Sequence, residues 1–132
     1  MGHEGVKIPG REPVLRVVPM PADMNPNGDI FGGWVMAQCD IAAAIPAMRL
    51  SRGRIATVAV NSFLFKQPIS VGDIVSFYAE VVKVGRTSIT VDVQVFAERH
   101  PANPVVVKVT EATLTYVAID LKGRPRRIQK DK

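Results

Sequence analysis

Residues 25–50 read NPNGDIFGGWVMAQCDIAAAIPAMRL, and the rest of the chain is arranged around them. Asn25-Pro26 and Asn27-Gly28 are turn signals, and the pair Gly32-Gly33 follows them. From Trp34 to Leu50 there are seventeen residues, thirteen of them apolar, and Asp40 is the only acid. A helix of that length runs roughly 25 Å at ~1.5 Å per residue. Apolar residues on nearly every side mark a buried helix rather than a surface one. A lone carboxylate two turns into it needs an explanation, because burying an unpaired charge is costly. Asp40 either reaches solvent or a buried partner such as Arg54, or it does chemistry.

Downstream the apolar period falls from 3.6 to 2. Ile55–Lys66 reads as a strand with apolar residues on both faces: Ile55, Ala59, Phe63 and Phe65 on one, Val58, Val60 and Leu64 on the other. That pattern suits a central strand, or one gripped by a helix on one side and a partner on the other. Val71-Gly72-Asp73 is a turn into a strand over Ile74–Val84, which Gly85 closes. Ser88–Glu98 alternates, with Ile89, Val91, Val93, Val95 and Ala97 inward. Val105–Ile119 is the last strand. Upstream, Val14–Val18 is a short strand stopped by Pro19 and Pro21. Pro46 is expected to bend the helix in its last turn. Consecutive strands on short turns must be antiparallel, so a single apolar helix and a single sheet can cover each other if the sheet wraps the helix.

The 132 residues fit one domain: a loose N-terminus over 1–12, a folded body over 13–121 and a basic tail over 122–132. Apolar content of 47% and charged content of 22% are those of a globular protein. One cysteine, Cys39, excludes an internal disulfide framework and suits a reducing compartment. No signal-like segment opens the chain, and the helix is too short and interrupted to cross a membrane comfortably. The protein is expected to be soluble and cytoplasmic. Its net charge of +5 comes entirely from residues 122–132, which hold six basic residues and Asp131. The neutral body disfavours nucleic acid as a partner. The tail is either a solvated end or a clamp for ligand phosphates.

The stretch NPNGDIFGGWVMAQCDIAAA resembles the signature loop and helix of the hot-dog-fold acyl-CoA thioesterases, in their small bacterial YciA-like branch. VNSFLFKQPISVGDIV and KVGRTSITVDVQVF resemble the same family further on, so the similarity spans roughly residues 13–127. It implies an α+β hot-dog fold: a long central helix wrapped by an antiparallel sheet of about five or six strands. It also implies homodimers with a continuous sheet, often assembled into hexamers as trimers of dimers. The implied activity is hydrolysis of acyl-CoA to CoA and a free acid. No metal or cofactor is called for, coenzyme A entering as part of the substrate.

Under that resemblance Asp40 falls on the catalytic carboxylate, either polarising a water or attacking to form a mixed anhydride. Gly32 and Gly33 fall where a helix begins, with amides suited to an oxyanion, or they only make a tight turn. Related hydrolases carry an asparagine where this chain has Asp29. Asn27 then does the polarising while Asp29 accepts loop N–H groups, or both are turn residues. Gly85, Arg86, Thr87 and Ser88 are placed near CoA by the resemblance, against the plainer alternative of a turn with a solvated arginine. Arg124, Arg126 and Arg127 are candidates for its phosphates, and Phe65 and Lys66 complete the substrate side. Phe63, Trp34 and Met36 either line an acyl tunnel or are plain core. Cys39 points about 100° away from Asp40 around the helix and reads as core, and Asn61 reads as a buried structural partner. His3 and His100 lie away from the helix, whereas hot-dog dehydratases rely on an active-site histidine.

Gly33 and Asp40, seven residues apart, are about 10 Å apart along one helix, too far to act on one carbonyl. Sites shared across a dimer interface are therefore expected. The competing reading is a non-catalytic acyl-CoA or lipid-binding protein on the same fold.

Overall fold

Val35, Cys39, Ala42, Ala43 and Ala47 recur at helical spacing, and these are side chains that the long helix buries. The structure, a computed structural model, describes residues 6–128. Helix α1 spans Gly32–Ser51 and packs on a five-stranded sheet. The strands are β1 (Leu15–Val17), β2 (Ile55–Phe65), β3 (Ile74–Val84), β4 (Ser88–Arg99) and β5 (Val105–Ala118). Their spatial order is β1-β3-β4-β5-β2, every neighbouring pair antiparallel. The alanines keep α1 slim, so it lies close over Ile89, Val91, Val93 and Leu114. The inward alternation expected of β4 is observed, with Ile89, Val91, Val93, Val95 and Ala97 all buried.

Both helix ends are informative. Phe31 occupies the N-cap without offering a side-chain hydrogen bond, so the first-turn amides receive no cap from it. At the far end Arg52 adopts a left-handed conformation (φ 58°), and its N–H donates to the Met48 carbonyl at 2.9 Å. The helix continues through Pro46 to Ser51.

The Val71-Gly72-Asp73 turn is a structural staple. Gly72 takes φ +86°, and Asp73, only 3% exposed, accepts Ser70 N–H at 2.9 Å and Arg99 Nη2 at 2.8 Å through one oxygen. Arg99 Nη2 also donates to the Pro68 carbonyl, which ties the start of β3 to the end of β4.

The structure decides two readings that the sequence left open. β2 is not a central strand: it stands at the edge of the sheet, paired only with β5 among the described residues. Its two-faced apolarity leaves Val58, Val60, Leu64 and Phe65 exposed. On β4, Phe96 is also buried, packed edge-on against Tyr78. Over 122–128 the basic segment is not a solvated tail. Arg126 N–H donates to Ala118 O and Ile128 N–H to Arg86 O, each at 2.8 Å, and Ile128 is buried. Residues 129–132, like residues 1–5 of the loose N-terminus, lie outside the described residues. Within the rest of that N-terminus, the Arg11 guanidinium stands 5.2 Å from the Tyr78 ring centroid.

Candidate active site

The loop before α1 is held by one side chain. Asn25 Oδ1 accepts the N–H of Asn27 at 2.9 Å and of Asp29 at 3.1 Å, while its own N–H donates to Asp29 O. Gly28 supplies the positive φ (+88°) that this turn requires. The Asx role offered to Asn27 and Asp29 thus belongs to Asn25, and the Asp29 carboxylate accepts no N–H among the described residues. Phe31 N–H donates to Asp23 O and Ile30 N–H to Ile69 O, which fixes the approach to the helix. Beyond it, the amides of Gly32 and Gly33 meet no hydrogen-bond acceptor among the described residues. A Cβ on Gly33 would meet nothing within 4 Å, whereas one on Gly32 would touch the Phe65 ring at 3.4 Å. Gly32 also lines a cleft of about 310 Å³ with Val35, Phe65, Lys66, Pro68 and Thr110.

Asp40 is half-buried on α1, with one carboxylate oxygen anchored. Thr57 Oγ1 donates to Oδ1 at 2.9 Å, and the Tyr116 hydroxyl stands 2.7 Å from Oδ1 and 2.8 Å from the Asp40 carbonyl. Thr57 and Tyr116 face each other across the β2–β5 ladder. A register shift follows between Thr57 and Ala59, leaving Val58 unpaired, the kind of bulge that re-aims neighbouring side chains. Burial first, and the adjacent carboxylate second, push the Tyr116 phenol well above its usual value, so it stays a proton donor. Arg54 is not the partner of Asp40: its Nη1 donates to Leu121 O at 3.2 Å. Cys39 is fully buried, as expected, and burial pushes its thiol up to about 12.

The remaining candidates separate into two groups. Phe65, stacked on Phe63, pairs with Thr110 at the end of the sheet where Gly32 lies. Lys66 is there too, with its ammonium 3.7 Å from Glu111. Gly85–Ser88 is a tight turn closed by Gly85 N–H to Ser88 O, and it sits at the opposite end, where Ser88 pairs with Val117. Arg126 is also at that end, its guanidinium donating to the carbonyls of Ser51, Arg54 and Ile119. Those contacts bind α1 to the chain that follows it, while Arg86 and Arg124 are exposed. Thr110 and Val117 are seven residues apart on β5, so roughly 23 Å divides the two groups within one chain.

Thr57 and Tyr116 were not among the residues singled out from the sequence. A signal existed for Tyr116: it shares the inward register of Ala112, Leu114 and Ala118, and a buried tyrosine needs a partner for its hydroxyl. Asn61 is exposed rather than buried, its Oδ1 accepting from Thr115 Oγ1 at 2.6 Å.

Residues 27–102 match the thioesterase superfamily, and the chain belongs to that family. It is similar to YciA, an acyl-CoA thioester hydrolase of Escherichia coli, at 44% identity over 123 residues, covering 92% of this chain and 93% of the relative. The YciA of Salmonella typhimurium is 48% identical over 120 residues, 89% of this chain and 90% of that one. A hexameric hotdog fold thioesterase of Campylobacter jejuni superposes with a TM-score of 0.86 at 44% identity, over 90% of this chain and 91% of that chain. The hot-dog fold expected from the helix and its glycine approach is the fold observed.

Proposed function

We propose that the chain hydrolyses acyl-CoA thioesters to CoA and a free carboxylic acid, at sites shared between two copies. The single observation that carries this reading is the half-buried carboxylate of Asp40, anchored through one oxygen while the other accepts no hydrogen bond among the described residues. In this reading the substrate carbonyl lies against the amides of Gly32 and Gly33 of one copy, where N–H groups and the helix dipole stabilise developing negative charge. Asp40 of the other copy takes a proton from water or attacks the carbonyl carbon; both routes need the carboxylate. Asn25, which lines the same cleft as Gly32, holds the glycine approach in place.

Two features support a second copy. Gly33 and Asp40 lie about 10 Å apart along one helix, too far to act together on one carbonyl. Pairing β2 antiparallel with the β2 of another copy brings the glycine end of each towards the Gly85–Ser88 end of the other. Such pairing also covers exposed Val58, Val60 and Leu64. Arg86 and Arg124 are then the guanidiniums available to the CoA phosphates. The hexameric relative supports a trimer of such dimers. Among the described residues no helix is long and apolar enough to cross a membrane, and we place the enzyme in the cytoplasm.

Thiol release from acyl-CoAs of several chain lengths tests the proposal. Asp40→Ala is expected to slow hydrolysis by about 10²- to 10⁴-fold, the range for a lost acid–base group. Equal rates in both proteins would remove Asp40 from the reaction, and no hydrolysis by either would leave an acyl-CoA-binding protein.

A further inference from the structure

We infer that Tyr116 is a positioning residue for Asp40, and that with Thr57 it commits Oδ1 so that Oδ2 is the oxygen presented to the reaction. This rests on the catalytic reading of Asp40. Tyr116 is 1% exposed, and its strand is paired on both sides, to Ile89 on β4 and Thr57 on β2. Its ring therefore has little freedom, and its hydroxyl is delivered to one place. Two oxygens of Asp40 lie within reach, at 2.7 Å and 2.8 Å. A phenol has one proton to give, and the charged carboxylate is the stronger acceptor. Thr57 gives its own proton to the same Oδ1. With two donors that oxygen has both lone pairs occupied. Oδ2 accepts no hydrogen bond among the described residues.

The consequence is geometric. A carboxylate turning about its last bond exchanges its two oxygens and samples many directions. Two donors from adjacent strands stop that rotation and give the free oxygen one bearing relative to the substrate carbonyl. Such prior orientation lowers the barrier to reaction without adding affinity for the substrate. Because a phenol deep in the sheet keeps its proton, the arrangement does not switch off in the pH range where carboxylates are charged.

The test is Tyr116→Phe, which keeps the ring and removes the donor. With acyl-CoA as substrate, kcat is expected to fall roughly tenfold, the scale of one hydrogen bond to a charged group, with KM unchanged within about twofold. In enzyme already carrying Asp40→Ala, the same substitution is expected to change the residual rate no further, because there is no carboxylate left to orient. A wild-type kcat in Tyr116→Phe, or an equal further loss in the Asp40→Ala background, overturns the inference. If Asp40→Ala alone retains the wild-type rate, the catalytic reading of Asp40 falls and takes this inference with it. If Asp40→Ala is inactive and Tyr116→Phe is normal, only the positioning role falls. Should Tyr116→Phe fail to fold, Thr57→Val removes the other donor from an exposed strand: a loss of kcat at constant KM upholds the inference, and an unchanged kcat overturns it.

Discussion

Cys39 and Asp40 are neighbours in the chain with opposite surroundings, because one residue of helix turns a side chain by about 100°. Cys39 faces the sheet and has no exposed surface; Asp40 faces the gap between Thr57 and Tyr116. Burial raises the thiol from its ordinary 9.0 to about 12, with the charge of Asp40 adding to the effect. The folded state therefore holds a proton that the unfolded state releases. Stability from this source is complete below pH 9.0 and is lost as the pH rises towards about 12. The chemical denaturation midpoint is expected to hold up to about pH 9 and to fall as the pH rises above it, and Cys39→Ala to flatten that slope. An identical slope in both proteins would locate the proton elsewhere. At this scale the sequence reveals Asp40 well, since one acid in an apolar helix is conspicuous whatever surrounds it. It does not reveal the donors, because pairing Asp40 with Thr57 and Tyr116 depends on the β2–β5 register and on where α1 crosses it.

Elements were legible where a pattern runs long, and least so where a neighbour decides. The bounds expected for β3 are those observed, and the other long strands differ by a residue or so at an end. The edge position of β2 was hidden because apolar residues on both faces describe a central strand and a partner-covered edge equally well. The segment over 122–128 was hidden for a different reason. Its basic residues read as solvated, yet the guanidinium of Arg126 is spent on three carbonyls and Ile128 is tucked away. Asp73 shows the energetic side of this scale. It joins a turn to a distant strand end through a pair that is buried on the acid side. Asp73→Ala leaves the Arg99 guanidinium without its counter-charge and is expected to lower stability by about 3–5 kcal/mol, read from chemical denaturation. A loss below about 1 kcal/mol would mean that the pair behaves like a surface contact.

For the whole molecule the decisive fact is that one chain keeps its glycine amides and its Gly85–Ser88 turn at opposite ends of the sheet. A mixing experiment tests whether two copies supply the missing halves to each other. Gly32→Pro removes one candidate oxyanion donor at the first helical position, where proline is favoured, and Phe31 before it already has the extended conformation proline requires (φ −54°, ψ 135°). That variant is expected to fold and to lose about 10²- to 10³-fold in kcat. Unfolded and refolded together in equal amounts, Gly32→Pro and Asp40→Ala are expected to recover about a quarter of wild-type activity: half the dimers are mixed, and each holds one intact site. Recovery of nothing, with dimers formed, would place the amides and the carboxylate of one site in the same chain.

The edge strand also sets a condition on how the protein can be handled. The outer side of β2, a strand of eleven residues, is left unpaired among the described residues, is studded with Val58, Val60, Leu64 and Phe65, and lacks the proline or crowded lysines that discourage strangers. Prolonged storage near the dissociation limit should therefore end in irreversible clumping rather than a reservoir of dormant monomers, and a charge engineered at Val60 would trade assembly for shelf life.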